Sequence, residues 1–130
     1  MCGIVEYVGK KNAQEVILQG LEKLEYRGYD SAGIAIVEDG VIKSEKFKGR
    51  LAVLSDFLEA NPIKGSLGIG HTRWATHGAP SDENSHPHLN ADNTIAVVHN
   101  GIIENYVSLE EDLIAKGYKF KSQTDTEVIV

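Results

Sequence analysis

A cysteine at the second position of a chain can acquire chemistry that internal cysteines lack. If Met1 is removed, Cys2 carries a thiol and a free α-amine on one residue. Such amines titrate near about 8, so at neutral pH a useful fraction is unprotonated and can take the thiol proton, directly or through water. No separate histidine is needed. The plainer reading of Cys2 is a small buried hydrophobe, and as the single cysteine it can form no internal disulfide. Histidines suggest a second chemistry: His86-Pro87-His88 sets two imidazoles close together, with His71, His77 and His99 elsewhere. A metal site is not expected, since no cysteines stand at ligand spacing, no two histidines lie one turn apart on a helix, and Pro87 separates the nearest pair. No cofactor is expected either. Other polar residues have ordinary readings when taken singly. Asn100-Gly101 reads as a turn, Arg73 as a surface charge, Asp125 as the cap of a final helix and Trp74 as core. Arg27-Gly28-Tyr29-Asp30 lacks the residue spacing of a phosphate loop.

These residues must be held by elements that the hydrophobic pattern outlines. Cys2 to Val8 is a short β-branched run ending at Gly9 and predicts a buried strand with Cys2 at its edge. Asn12 and Glu15 resemble a capping box before Ala13, Ile17, Leu21 and Leu24 at helical spacing, a helix that Gly20 weakens. After a turn bracketed by Gly28 and Gly33, the runs Ile34–Val37 and Val41–Phe47 flank Asp39-Gly40, a strong hairpin signal. Leu51, Leu54 and Leu58 predict a second helix, stopped by Asn61-Pro62, and Leu67–His71 another strand. From Thr72 to Asn93 no period is visible, and an irregular connection of that length inside a domain is usually functional. Thr94–Val98 predicts a strand leading into His99-Asn100-Gly101. Asn105 then caps a helix with Tyr106, Leu109 and Leu113 on one face and Gly117 at its stop. Tyr118 and Phe120 suggest a last strand, and Thr124 or Asp125 starts a helix barely under way at Val130. Antiparallel strands with helices predict an α+β layered fold.

Composition bounds the function. The chain has 130 residues, room for one domain, with 42% hydrophobic and 25% charged residues. No apolar run is long enough to cross a bilayer, and the start places Glu6 in its apolar stretch without a basic leader, so neither a membrane role nor a cleavable signal is predicted and the cytosol is expected. A net charge of −6 with scattered lysines and arginines offers no footprint for nucleic acid.

Four strings occur in order: Met1-Cys-Gly-Ile-Val5, Leu24-Glu-Tyr-Arg-Gly-Tyr-Asp-Ser-Ala-Gly-Ile34, His71-Thr-Arg-Trp-Ala-Thr-His-Gly78 and Val98-His-Asn-Gly-Ile-Ile-Glu-Asn105. Together they closely resemble the N-terminal-nucleophile, or class II, glutamine amidotransferases, and more narrowly the glutaminase domains of the glutamine:fructose-6-phosphate aminotransferases. The resemblance runs from Cys2 to Val130 and implies an αββα sandwich of stacked antiparallel sheets, of which residues 1–130 form the first part. It implies that Cys2 is the nucleophile and its α-amine the base, with Asn100 and the N–H of Gly101 as the oxyanion hole. Neutral donors of this kind stabilise an oxyanion without competing for the base's proton. It assigns Arg73 to the α-carboxylate of L-glutamine and Asp125 to its α-ammonium, a match that a bidentate fork and a fixed carboxylate suit. Thr76 and His77 are implied as further substrate contacts, Trp74 as part of a lid, and His86 as a residue shaping the pocket.

The implied reaction is hydrolysis of glutamine through a γ-glutamyl thioester. The ammonia would pass to fructose 6-phosphate on downstream sugar-isomerase domains of a homo-oligomeric full-length protein. The glutaminase part of amidophosphoribosyltransferase is the nearest alternative, sharing the nucleophile and the oxyanion string, and an inactive fragment or interaction module is another. Glu6 stands where the family has glycine or another small residue, and in a buried strand its carboxylate would be costly unless paired. A chain ending at Val130 is also expected to lack strands that complete the two sheets, leaving an open edge and little glutaminase activity.

Overall fold

Four antiparallel strands, β1 (Gly3–Val8), β2 (Ser31–Glu38), β3 (Val41–Lys48) and β4 (Leu67–Arg73), form the main sheet in the spatial order β1-β4-β2-β3. The structure, a computed structural model, describes residues 1–130. Asp39 and Gly40 join β2 to β3 with φ of 51° and 79°. That pair of left-handed conformations is what a two-residue turn needs to follow the twist of its strands. The hairpin then zips from Glu38↔Val41 to Ser31↔Lys48.

Side chains alternate across this sheet, and the two faces have different fates. One face carries Ala32, Ile34 and Ile36 of β2 and is covered by α1 (Ala13–Leu24) and α2 (Leu51–Ala60). Ile17 and Leu21 of α1 and Leu54 and Leu58 of α2 are fully buried there with Ile34. Each such side chain contributes roughly 1.5–3 kcal/mol of transfer free energy. Asn12 caps α1 by accepting from the N–H of Gln14 at 2.9 Å, without the reciprocal Glu15 half of a capping box. Gly20 has a packing reason: a Cβ there would come within 2.8 Å of Val5 on β1.

The other face carries Ile4, Glu6 and Val8 of β1, His71 and Arg73 of β4, and Gly33 and Lys46 of the hairpin, by the same alternation. Only part of it is covered. The segment from Asn84 to His88 crosses it near Gly33, and β6 (Ala96–Val97), paired with β5 (His88–Leu89), approaches Val37 and Leu67. Ile4, Val8 and Leu67 remain 41%, 79% and 47% exposed. The buried strand expected at Cys2–Val8 is therefore an edge strand with one open face. Within residues 1–130 Glu6 lies on that open face and is exposed, so its carboxylate keeps its hydration there.

Beyond β4 the pattern departs from the sequence expectation twice. Of Thr94–Val98 only Ala96–Val97 pair, because the Asn90 carboxamide oxygen takes the N–H groups of Thr94 and Ile95 at 2.8 and 2.9 Å and bends the chain into a turn. Tyr118–Phe120 forms no strand. The Tyr118 N–H closes α3 (Tyr106–Ala115) on Leu113 at 3.1 Å, and those of Lys121 and Ser122 go to the Glu127 carboxylate. The last helix is a short 3₁₀ turn over Asp125–Ile129. No helix is long and apolar enough to cross a membrane.

Candidate active site

The open face of the sheet gathers the chemistry at the end where β1 begins and β4 finishes. Cys2 lies one residue before Gly3, which pairs with Thr72, so the thiol meets the chain leaving β4. The Trp74 N–H donates to Cys2 Sγ at 3.2 Å, and the thiol reaches back to the Trp74 carbonyl at 3.6 Å. Cys2 is half-buried, not a core residue. The amine of Met1 donates to the carbonyls of Arg27 and Gly28 at 3.2 and 3.0 Å. The 3₁₀ turn Glu25–Arg27 thus presents acceptors where the chain terminus arrives.

Beside the thiol is a cavity of about 230 Å³ lined by Cys2, Arg73, Trp74, Thr76, His86, His99, Gly101, Ile102, Thr124, Asp125 and Thr126. Two opposite charges are buried in its wall. Arg73 is 3% exposed and donates through Nη2 to the carbonyls of His77 and Gly78, while its Nη1 has no partner. Burial lowers its pKa from the usual range, opposed by Asp30, Cys2 and Asp125. A guanidinium nonetheless remains charged. Asp125, also 3% exposed, accepts from the Ile103 N–H at 2.6 Å through Oδ2; its Oδ1 lies 3.9 Å from His77 Nδ1, too far for a hydrogen bond. One unpartnered cationic donor and one carboxylate oxygen therefore remain for a ligand.

Three imidazoles pack together, with His86 forming part of the cavity wall. His71 stacks on His86 with centroids 4.3 Å apart and 18° between planes, and His86 meets His88 edge-on at 4.6 Å. Burial lowers the pKa of His71 to about 4 and of His88 to about 3, and pushes His86 lower still, so all three are neutral at pH 7. Gly33 makes room for them. A Cβ there would fall 2.1 Å from the His86 carbonyl. The Lys46 ammonium secures the same segment by donating to the carbonyls of Glu83, Ser85 and Pro87 at 3.2, 2.8 and 3.0 Å. Burial lowers its pKa to about 8. The stack also grips the His99-Asn100-Gly101 string, because the His99 N–H donates to His86 Nδ1 at 3.4 Å and His71 Nε2 is 2.7 Å from Asn100 Oδ1.

Of the residues singled out from sequence, Cys2, Gly101, Arg73, Trp74, Thr76, His86 and Asp125 share the cavity wall. Asn100 and His77 stand just outside it, Asn100 beside Gly101 and His77 near Asp125 with its ring edge-on to Tyr106 at 5.2 Å. The plainer readings do not survive for Arg73, which is buried, for Trp74, which is 54% exposed, or for Asp125, which lies within the last 3₁₀ turn after the cap position Thr124 and accepts from the Ile103 N–H instead of capping it. Sequence reasoning set the string holding Asp30 beside the nucleophile without resolving its role; the Asp30 carboxylate accepts from the Ala75 N–H at 2.5 Å and holds the chain after Trp74. That reasoning missed Lys46, Thr124 and Thr126. The threonines flank Asp125, but a lysine on a strand gives no sign that it will meet three carbonyls.

A family profile described as a glutamine amidotransferase domain matches residues 59–130. The chain is 69% identical over 129 residues to the glutamine–fructose-6-phosphate aminotransferase [isomerizing] of Clostridium perfringens, covering 99% of this chain and 21% of that one. It is 57% identical to the enzyme of that name from Thermus thermophilus, with the same coverage. Among solved structures, the Bacillus subtilis glutamine phosphoribosylpyrophosphate amidotransferase complexed with ADP and GMP matches with a TM-score of 0.82 at 29% identity, over 99% of this chain and 28% of that one. The structure of an allosteric regulatory enzyme of purine biosynthesis matches with a TM-score of 0.84 at 30% identity and the same coverage. The chain thus spans about a fifth of the length of the aminotransferases it matches.

Proposed function

Since this chain belongs to the N-terminal-nucleophile, class II glutamine amidotransferases, we propose that its cavity binds L-glutamine and hydrolyses the side-chain amide to glutamate and ammonia. The observation that carries this reading is the pairing, in one cavity wall with the Cys2 thiol, of a buried guanidinium lacking one partner and a buried carboxylate. A free amino acid supplies the complementary pair, its α-carboxylate to Arg73 and its α-ammonium to Asp125. An amide with no such charges would leave both buried groups uncompensated.

In this reading Met1 is removed and the α-amine of Cys2 becomes the base. Cys2 Sγ attacks the side-chain carbonyl carbon, and the thiol proton passes to the amine. The carbonyl oxygen becomes an oxyanion facing Asn100 Nδ2 and the Gly101 N–H, neither of which has an acceptor within the protein. The intermediate collapses to a γ-glutamyl thioester as the amine returns its proton to the leaving ammonia. Water, activated by the same amine, then releases glutamate and restores the thiol. Thr76 and His77 contribute further contacts, His86 shapes the rear wall, and exposed Trp74 belongs to the segment that covers the thioester.

The acceptor follows from relatives far more similar than the phosphoribosylpyrophosphate amidotransferase, since the named fructose-6-phosphate aminotransferases share 57–69% identity against 29%. The ammonia is read as destined for fructose 6-phosphate, giving glucosamine 6-phosphate, on sugar-isomerase domains downstream of residues 1–130 in a cytosolic homo-oligomer. Treating the full-length protein, with loss of Met1 verified by mass spectrometry, with a glutamine-shaped electrophile should label Cys2 and abolish ammonia release, and Cys2→Ala should be inactive. Labelling elsewhere, or full activity in Cys2→Ala or with Met1 retained, would refute the mechanism, whereas a processed full-length protein with neither labelling nor ammonia release would favour an interaction module.

A further inference from the structure

We propose that His71 is a positioning residue that fixes the Asn100 carboxamide with its NH₂ group, rather than its oxygen, turned toward the oxyanion. The inference rests on the reading of Asn100 as an oxyanion donor. An asparagine can serve that role in only one of two orientations: its amide end stabilises the developing charge, and its carbonyl end would repel it. The two ends have nearly the same shape, so packing alone selects weakly between them, and Asn100 is exposed. The choice has to be made by a partner with a defined hydrogen.

His71 is that partner. It is fully buried, and its Nε2 lies 2.7 Å from Asn100 Oδ1. The other ring nitrogen, Nδ1, is buried without any hydrogen-bond partner. A neutral imidazole has one N–H to place. If the proton sat on Nδ1, a buried donor would be orphaned and Nε2 would face Asn100 as an acceptor, attracting the wrong end of the amide. With the proton on Nε2 the donor is satisfied, the Asn100 oxygen is held, and Nδ2 is left free. Nδ1 lacks a partner in either tautomer, and an orphaned buried N–H is rarer in folded proteins than an acceptor left unpaired. Burial also keeps His71 neutral at pH 7, with its pKa near 4, so the tautomer question has one answer across the physiological range.

The ring itself is fixed independently of Asn100. His71 occupies β4 opposite Ile4 of β1 and Gly33 of β2, and it stacks on His86 at 4.3 Å. His86 is anchored in turn by accepting the His99 N–H at 3.4 Å. The residue before Asn100 and the side chain of Asn100 are thereby held by two stacked rings. This preorganises the donor before any charge forms, which is how such a group contributes most to rate.

The test uses the full-length protein with Met1 verified as absent. His71→Leu removes the donor, and His71→Gln offers an amide N–H at similar reach. Both are compared with Asn100→Ala and with the His71→Leu/Asn100→Ala double variant. Readouts are kcat and KM for glutamine, inhibition by the γ-aldehyde analogue, which forms an oxyanion-bearing adduct with Cys2, and inhibition by glutamate, which does not. Removing an oxyanion donor costs about 100- to 1000-fold in kcat. Asn100→Ala should show that loss, and His71→Leu should approach it with KM changed less than about threefold. Aldehyde affinity should weaken in parallel and glutamate affinity should hold. His71→Gln should recover at least about tenfold of kcat, and the double variant should be no worse than Asn100→Ala. Multiplying losses in the double variant, equal losses in His71→Gln and His71→Leu, or near-normal kcat in His71→Gln and His71→Leu alike beside an impaired Asn100→Ala would overturn the role of His71 alone. Normal kcat in Asn100→Ala would overturn the oxyanion assignment and this inference with it, while Cys2 labelling still tests glutamine hydrolysis separately.

Discussion

Arg73 and Asp125 show how a site can be charged, buried and nearly empty of internal ion pairs. Arg73 spends Nη2 on two backbone carbonyls and keeps Nη1 unpartnered, while Asp125 spends Oδ2 on the Ile103 N–H. Each is held in place by backbone, which leaves its remaining atom free and aimed by a rigid support. The expected consequence is recognition more than bond cleavage. Arg73→Lys puts a single ammonium in place of a planar fork and should raise KM for glutamine by about tenfold or more, with kcat less affected. Steady-state glutamate production over a range of glutamine concentrations checks it, and an unchanged KM in both Arg73→Lys and Asp125→Asn would remove these residues from substrate binding. The sequence showed a charge at each position; that both charges are buried in one wall depends on where β4 ends and where the terminal 3₁₀ turn docks.

At the scale of elements, the alternation of the sheet sorts the chain into structure and chemistry. Even-numbered β2 residues Ala32, Ile34 and Ile36 face the helices, and Gly33 faces the histidine segment. The His86 carbonyl lies so close to β2 that Gly33→Ala must push the segment outward, since a Cβ would sit 2.1 Å from it. Overpacking of this kind typically costs about 1–3 kcal/mol. Here it should also displace His86, and through it His71 and the His99-Asn100-Gly101 string, so on the proposed function glutaminase kcat should fall by more than about tenfold even in folded protein. Circular dichroism with kinetics on the same preparation distinguishes loss of fold from loss of alignment; a Gly33→Ala enzyme with normal kcat would show that the segment is not held by this contact. The elements from Met1 to Arg73 were readable because apolar period and turn chemistry agree there. After β4 they were less so, since Asn90 and Glu127 satisfy backbone donors that strands would otherwise use.

For the molecule as a whole, three neutral histidines packed together at one cavity couple stability to pH. Their folded pKa values are depressed, to about 4 for His71 and about 3 for His88, with His86 lower, while unfolded histidines titrate near about 6.5. The unfolded chain therefore binds more protons as pH falls below that value. The contribution is fully present above about pH 6.5 and is lost progressively as pH falls through the folded values. For His71 alone, the gap between the unfolded and folded values corresponds to roughly 3 kcal/mol at neutral pH. Urea denaturation of the full-length protein, followed by a probe in this domain from about pH 7.5 to about pH 4.5, should show steadily falling midpoints. His88→Gln should flatten the slope, whereas a pH-independent midpoint would contradict a buried neutral cluster.

Local pattern and short strings already contained the hairpin, both packed helices and the family, and they supplied the residues proposed as nucleophile and oxyanion donors. Those features are written in neighbouring residues, because turn conformations, helical spacing and an N-terminal cysteine are local properties. Tertiary structure alone decided that within residues 1–130 β1 lies at the sheet edge with Glu6 on its open face, that Lys46 clamps the histidine segment, and that His71 meets Asn100 across 29 residues of chain. Each of these depends on register and on which face of the sheet a residue occupies. A one-residue change in pairing would reverse the face while leaving composition and local propensity the same, which is why no local signal announces it.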